Sequence, residues 1–343
     1  MPEGLKVAVV GATGAVGREL IELLDQRRFP VQNLRLMASA RSVGTVIPFA
    51  GTGIQVEEAT GPALEGVDVA FFSAGSGTSK TLGRRAAAHG TLVIDNSSAF
   101  RMEDDVPLIV PEINLHDVKP HHNLIANPNC SAIILLMAVS PLRQLGEIDR
   151  IIVSTYQSAS GAGAQAMEEL KEQTKTVLDG GEAVPKIFPH PYAFNLFSHN
   201  TPVNEEGWNE EEWKVLQESQ KILNMPELKM NVTCVRVPVL RAHSESVTVE
   251  FKRKAPSEAE VRELFAKTPG LRVIDDRSAN HFPMPLEASG QGDVLVGRIR
   301  RDLSNSKGLS LFIAGDQLLK GAALNAVQIA EGLLHRFPLT LDA

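Results

Sequence analysis

Apolar and polar positions switch repeatedly between two periods along the first third of the chain. Lys6-Val7-Ala8-Val9-Val10 is a short β-branched run of the kind that fills a parallel strand buried on both faces. Val16, Leu20, Leu23 and Leu24 then recur at helical spacing, with Arg27, Arg28 and Pro30 marking the end of that helix. The alternation continues through a strand over 33–37, a hairpin over 43–58, a strand over 67–72, a helix over 79–89 and a strand over 91–95. Such a series predicts a doubly wound α/β unit. Residues 106–114 and 123–126 read as extended, and the wholly apolar run Ala132–Val139 predicts a buried helix starting at or just after Cys130.

Beyond that helix the pattern changes. A strand over 149–156 leads into a helix running through Met167 and Leu170 to about Leu178, and 179–207, rich in Gly, Pro, His and Asn, reads as a long loop over the surface or over a partner subunit. An amphipathic helix follows over 210–223. Residues 229–239 and 246–254 read as strands paired with one another, followed by a helix over 257–267 and strands over 293–299 and 309–314. An apolar-striped helix closes the chain over 317–336. The expected fold class is therefore α/β: an N-terminal Rossmann-type dinucleotide-binding domain plus an α+β catalytic domain, divided near residue 130. A length of 343 residues agrees with two cores rather than one.

Composition narrows the class. With 43% hydrophobic and 22% charged residues the chain is of ordinary globular type, and a net charge of -7 lacks the basic surplus of a nucleic-acid binder. No apolar run approaches the roughly 18 residues of a membrane span. The first strand begins by Leu5, which leaves no room for a signal peptide, and two cysteines, Cys130 and Cys234, make no disulfide framework. The expectation is a cytoplasmic enzyme with no nucleic-acid or membrane partner.

Gly11-Ala12-Thr13-Gly14-Ala15-Val16-Gly17 joins the first strand to the first helix. Glycines there let the backbone approach a pyrophosphate while free N–H groups of the helix start donate to it. The next strand ends in Ser39, Arg41 and Ser42 with no carboxylate, which favours NADP over NAD, although a solvated loop arginine is the plainer alternative. Ser73, Ala74 and Gly75, at another strand end, are small enough for a cofactor to lie against the sheet, and a second small-residue turn contains Ser160 and Gly161. Cys130 stands where the unpaired N–H groups of a helix start would suit a nucleophile, and equally where a small buried cysteine would be inert. With Gln157, His243, Arg101 and Arg236 it forms a set able to reduce an acyl group through a thioester. A surface ion pair is the simpler reading of Arg101. Metal catalysis is poorly supported, since His121 and His122 are adjacent, and no lysine follows Tyr156 or Tyr192 at the spacing of a short-chain dehydrogenase.

These motifs resemble, over nearly the whole chain, the aspartate-semialdehyde dehydrogenase family in its bacterial form. The resemblance rests on 11–17 (GATGAVG), 38–42 (ASARS), 72–75 (FSAG), 127–131 (NPNCS), 154–163 (STYQSASGAG), 236–245 (RVPVLRAHSE), 296–303 (VGRIRRDL) and 320–329 (KGAALNAVQI). It implies that Cys130 carries the acyl group, His243 acts as acid/base and Gln157 orients the substrate. It implies further that Arg236 grips the α-carboxylate, Glu211 the ammonium, and Arg101 and Lys214 the phosphate, with Asn129 beside the thiol. Gly11, Thr13, Gly14, Ala15, Val16, Ser39, Arg41, Ser42, Ser73, Ala74, Gly75, Ser160, Gly161 and Gln317 would line NADP. Glu210 and Glu212 leave the choice of glutamate open. The implied reaction reduces L-aspartyl 4-phosphate to L-aspartate 4-semialdehyde with release of phosphate, on the route to lysine, methionine and threonine. A discontinuous first domain (1–129 with 317–343), a second over 130–316 and a homodimer or tetramer built through that second domain are also implied. The alternatives are an N-acetyl-γ-glutamyl-phosphate reductase and a non-catalytic NADP-sensing module.

Overall fold

The computed structural model describes residues 4–336; the expectations placed on 1–3 and 337–343 lie outside the described residues. The chain folds as two compact units, 4–129 with 322–336, and 130–321. The last segment of the first unit begins at residue 322.

The first unit opens with β1 (Leu5–Val10), α1 (Ala15–Gln26) and β2 (Val31–Ala38), followed by the hairpin β3 (Val46–Phe49) and β4 (Thr52–Glu58). β5 (Val69–Phe72) leads to one helical stretch made of α2 (Ser76–Thr78), a π-type turn over Ser79–Gly83 and α3 (Arg84–Ala88). β6 (Leu92–Asp95), α4 (Pro111–Asn114) and β7 (Leu124–Ala126) complete it. The last part of 106–114, expected to be extended, is helical because Pro111 sits at the first helical position, where its missing N–H costs nothing. The strand order is β3-β4-β2-β1-β5-β6-β7, all parallel except β3. β1 therefore lies between β2 and β5, where the strand order reverses, and its carboxyl end is the switch point where such sheets hold ligands.

The second unit begins with α5 (Cys130–Leu142), whose residues are buried from Ser131 to Val139. β8 (Ile148–Gln157), α6 (Ala164–Leu178), the two-residue β9 (Phe197–Ser198), α7 (Glu210–Leu223), β10 (Lys229–Arg236) and β11 (His243–Phe251) follow. α8 (Glu258–Lys267), β12 (Leu271–Val273), α9 (Pro285–Ala288), β13 (Val294–Arg301) and β14 (Gly308–Gly315) build the rest of this unit. A π-type turn over Leu319–Ala323 then opens α10 (Leu324–Arg336), which belongs to the first unit and pairs Glu331 with Arg27 of α1 at 2.7 Å.

The order β12-β13-β14-β11-β8-β10-β9 corrects one expectation. The strands β10 and β11 do not pair with one another. β8 lies between them, parallel to β10 and antiparallel to β11. The six residues joining β10 to β11 cannot make a hairpin, because they cross over the end of β8. Val237 N–H donates to the Gln157 carbonyl (3.1 Å), and Ala159 and Ser160 donate to the carbonyls of Val239 and Leu240 (2.8 and 3.0 Å).

Candidate active site

That crossing gathers the candidate chemistry of the second unit. β8 and β10 end, and β11 begins, at the same edge of the sheet, with Arg236 opposite Gln157, Ser244 opposite Tyr156, and His243 opposite Gly315. Three residues spread over nearly ninety positions thereby become neighbours through strand register alone.

His243 is fully buried. The backbone N–H of Ser158 donates to its Nδ1 at 3.0 Å, and Ser158 Oγ lies 3.1 Å from the same nitrogen. An Nδ1 that accepts is unprotonated, so the ring proton of the neutral form sits on Nε2. Burial, and secondarily the charge of Arg236, push the imidazole down to about 3. A Cβ added at Gly161 would lie 3.1 Å from His243 Cε1, 3.2 Å from Nε2 and 3.3 Å from Arg236 Nη1, so this glycine lets backbone cover both the imidazole and the guanidinium.

Arg236 is buried and is held on several sides. Its Nη1 donates to the Ser158 carbonyl (3.3 Å), its Nε to Asn200 Oδ1 (3.4 Å), and its guanidinium lies 5.4 Å from the centroid of the Phe188 ring. Burial lowers its pKa, against the opposing pull of Glu211, Tyr192 and Cys130. Gln157 is fixed from both ends, accepting from Thr155 Oγ1 (3.1 Å) and donating to Glu211 Oε1 (3.0 Å).

The start of α7 separates the three glutamates. Glu212 completes a capping box with Asn209 and accepts the Cys234 N–H at 3.0 Å, so it is a structural group. Glu210 pairs with Lys214 one turn on, at 2.8 Å. Glu211 is the one that reaches Gln157. His199, lowered to about 4 chiefly by burial, shares an electrostatic neighbourhood with Glu211, Arg236 and Lys214.

Cys130 is half-buried at the first position of α5. Gly321 makes room for it, since a Cβ there would stand 2.9 Å from that of Cys130 and 3.3 Å from that of Gln317. Gln317 in turn accepts the Ala242 N–H (2.9 Å) and donates to Ser160 Oγ, which lies 3.0 Å from Ser158 Oγ. Gln317, Ser160, Ser158 and His243 thus form one connected string within the second unit, and Gly321 lies beside both Cys130 and Gln317. Ser160 and Gln317, expected around the cofactor, belong to that string, and Gly161, expected there too, packs against its His243 end.

In the first unit Gly11 has φ +93°, and a Cβ there would fall 2.3 Å from the Ser73 carbonyl oxygen; at Gly17 it would fall 2.1 Å from that of Gly11. Gly14 caps α1 with no side chain and the first turn holds no acid, so the helix start is bare backbone N–H at the switch point, as a pyrophosphate requires. Thr13 Oγ1 lies 3.4 Å from Ser42 Oγ, linking the glycine turn to the end of β2. Ser39 and Arg41 are exposed there, and Ser73, Ala74 and Gly75 follow β5. Ala15 and Val16 open α1. Arg101 is not a surface ion pair: it is buried, and donates to the backbone carbonyls of Asn127 (2.9 Å) and Asn96 (2.8 Å). Asn129 is buried at the end of the same unit's first segment. Among the described residues no cluster of His, Cys, Asp or Glu could hold a metal ion, and no helix is long and apolar enough to cross a membrane.

Phe188, His199 and Asn200 join the site without any mark of it in the sequence, whereas Ser158 lies within the 154–163 motif. Only the aromatic spacing Phe188-Tyr192-Phe197 signals that the 179–207 segment is anchored.

Residues 6–121 match the family model described as semialdehyde dehydrogenase, NAD binding domain, and 139–320 match semialdehyde dehydrogenase, dimerisation domain. The chain is 51% identical to an aspartate-semialdehyde dehydrogenase from Synechocystis, covering 98% of this chain and 99% of that protein. It is 44% identical to the Bacillus subtilis enzyme of the same name, over 97% of this chain and 98% of the other. Aspartate semialdehyde dehydrogenase II from Vibrio cholerae, solved alone and complexed with ASA, superposes with a TM-score of 0.94 in both cases. Identity to those two is 41% and 40%, over 98% and 97% of this chain and 100% and 99% of theirs.

Proposed function

Since the chain belongs to the aspartate-semialdehyde dehydrogenase family, we propose that it converts L-aspartyl 4-phosphate to L-aspartate 4-semialdehyde with NADPH. Phosphate is released, and the product serves lysine, methionine and threonine synthesis. The observation that carries this reading is the convergence of Gln157, Arg236, His243 and Glu211 at one sheet edge, in the unit that Cys130 opens.

Cys130 Sγ attacks the C4 carbonyl of the acyl phosphate, the bond from that carbon to the phosphate oxygen breaks, and a thioester remains on the protein. Negative charge on the sulfur is met by the positive dipole end of α5, at whose first position Cys130 stands, and by Arg236. NADPH, when bound, supplies the hydride that turns the thioester into aldehyde and returns the thiolate. Arg236 presents its fork to the α-carboxylate, Glu211 takes the ammonium, and Gln157, pinned between Thr155 and Glu211, orients the acyl group. His243 enters with its proton on Nε2. In that tautomer it donates a hydrogen bond to the carbonyl oxygen as charge develops there, which refines the acid/base role expected from the residue type. Arg101 and Lys214 are assigned to phosphate and Asn129 to the thiol's surroundings. The glycine turn 11–17 with Ser39, Arg41, Ser42, Ser73, Ala74 and Gly75 is assigned to NADP, assisted by Ser160, Gly161 and Gln317. The protein works as a cytoplasmic homodimer through its dimerisation domain.

The test is NADPH formation from aspartate semialdehyde, NADP and phosphate. Wild-type protein turns over and Cys130→Ser does not; turnover of N-acetylglutamate semialdehyde instead, or of neither substrate, rejects the assignment.

A further inference from the structure

The 179–207 segment contains almost no regular structure, yet it is built onto α6 by two buried side chains one turn apart. Glu169 accepts the backbone N–H groups of Lys186 (2.5 Å), Ile187 (3.0 Å) and Phe188 (3.3 Å). Gln173 accepts those of Tyr192 (2.7 Å) and Ala193 (3.2 Å), and donates to Glu169 (3.0 Å) and to the Val184 carbonyl (3.2 Å). A surface loop would leave such amides to water; here a carboxylate and an amide buried to 3% and 4% exposure are devoted to them. Tyr192 donates to the carbonyl of Val237, the residue after Arg236, at 2.5 Å. The rings of Phe188, Tyr192 and Phe197 pack edge to face at 4.8 to 5.7 Å, which fixes the Phe188 face that Arg236 covers. Asn200, at the far end of the segment, receives Arg236 Nε.

We propose that the segment is a strap that positions Arg236, with Phe188 and Asn200 as its positioning residues and Glu169 and Gln173 as its anchors. The proposal rests on the assignment of Arg236 to the substrate's α-carboxylate. An arginine side chain has four torsions to fix, and a fork aimed at a carboxylate gains specificity only when it is held before the substrate arrives. Phe188 supplies the flat cation–π surface, Asn200 takes the Nε–H, and the Ser158 carbonyl takes one Nη1–H, so the plane of the guanidinium is set from three directions.

Phe188→Leu removes the ring face and raises KM for aspartate semialdehyde about tenfold, with kcat and KM for NADP within twofold. Phe188→Tyr restores it. Asn200→Ala, at an exposed position that does not endanger folding, raises the same KM about threefold. In an Arg236→Lys background Phe188→Leu adds nothing further, because the residue acts through the fork. Unchanged KM in both folded variants, or additive effects in the double variant, overturns the strap while leaving the overall reaction intact. Modification of Arg236 by phenylglyoxal, followed by mass spectrometry, needs no turnover: Phe188→Leu speeds it about tenfold. Equal rates overturn the proposal whatever the protein reduces, whereas faster modification in a protein inactive on aspartate semialdehyde supports the strap and rejects only the assigned reaction.

Discussion

Glu245 gives the sharpest quantitative handle on this site. It stands two residues beyond His243 on β11, hence on the same face of the sheet, fully buried and with neither carboxylate oxygen hydrogen-bonded to protein. Burial pushes its pKa well above the ordinary carboxyl value, whereas burial pushes His243 and His199 down to about 3 and about 4. The two kinds of group pull stability in opposite directions with pH. Each histidine, neutral in the fold, contributes stability present above its unfolded pKa of about 6.5 and lost as pH falls toward its folded value. Glu245, protonated in the fold, contributes stability present below the unfolded carboxyl pKa and lost as pH rises toward its folded value. Between about pH 5 and 6 the unfolded chain binds about two protons more on the histidines and one fewer on Glu245. These three groups together make stability rise with pH by about 1.4 kcal/mol per unit there, and the carboxyl contribution subtracts from stability as pH rises toward the folded value of Glu245. In Glu245→Gln the rise between about pH 5 and 6 steepens by about 1.4 kcal/mol per unit, because the opposing carboxyl contribution is gone. Asp95, raised by burial despite its bonds from Ser79 and Ser97, contributes equally to both proteins and cancels. Urea unfolding at pH 5, 6, 7 and 8, at one ionic strength and protein concentration, reads these slopes. A variant whose midpoints follow the wild-type pH profile would refute the assignment of a neutral, buried Glu245.

Three further outcomes follow from the same geometry. Gly161→Ala pushes a methyl group against His243 and Arg236, and steady-state kinetics should show kcat/KM lowered about a hundredfold with melting temperature little changed; unaltered kcat/KM would mean that this glycine does not shape the site. Arg41→Ser should raise KM for NADP about tenfold or more and leave that for NAD unmoved, and an equal rise for both would remove Arg41 from the 2′-phosphate. Asn209→Ala opens the capping box of α7, lowering stability by about 1 kcal/mol in urea titrations, with no loss rejecting the cap's contribution.

Local periodicity carries much of this fold. The apolar run after Cys130 and the acidic first turn at Glu210 place α5 and α7 at their observed starts, because a buried helix and a capped amphipathic one are each written within a few neighbouring residues. What is not legible depends on partners distant in sequence. β10 and β11 look like a hairpin from their spacing, yet the sheet inserts β8 between them, and nothing local distinguishes the two arrangements. Arg101 looks like any arginine in a polar segment until Asn96 and Asn127 turn their carbonyls toward it. The loop composition of 179–207 is real, but it conceals the two residues of α6 that hold it.

His243 shows how far residue type can be trusted. An imidazole with an ordinary pKa near 6.5 invites a proton-transfer role at neutral pH. The insertion of β8 between β10 and β11 is what alters that expectation. It carries the residues after Gln157 beneath the 237–242 crossing, and so aims the Ser158 N–H at His243 Nδ1. Protonating that nitrogen would set two N–H groups against each other beside the positive charge of Arg236, so the fold disfavours the imidazolium that a proton shuttle must form. The neutral ring with its proton on Nε2 is the form these surroundings favour. The strand order that sequence spacing concealed is therefore also what sets the chemistry available to the histidine.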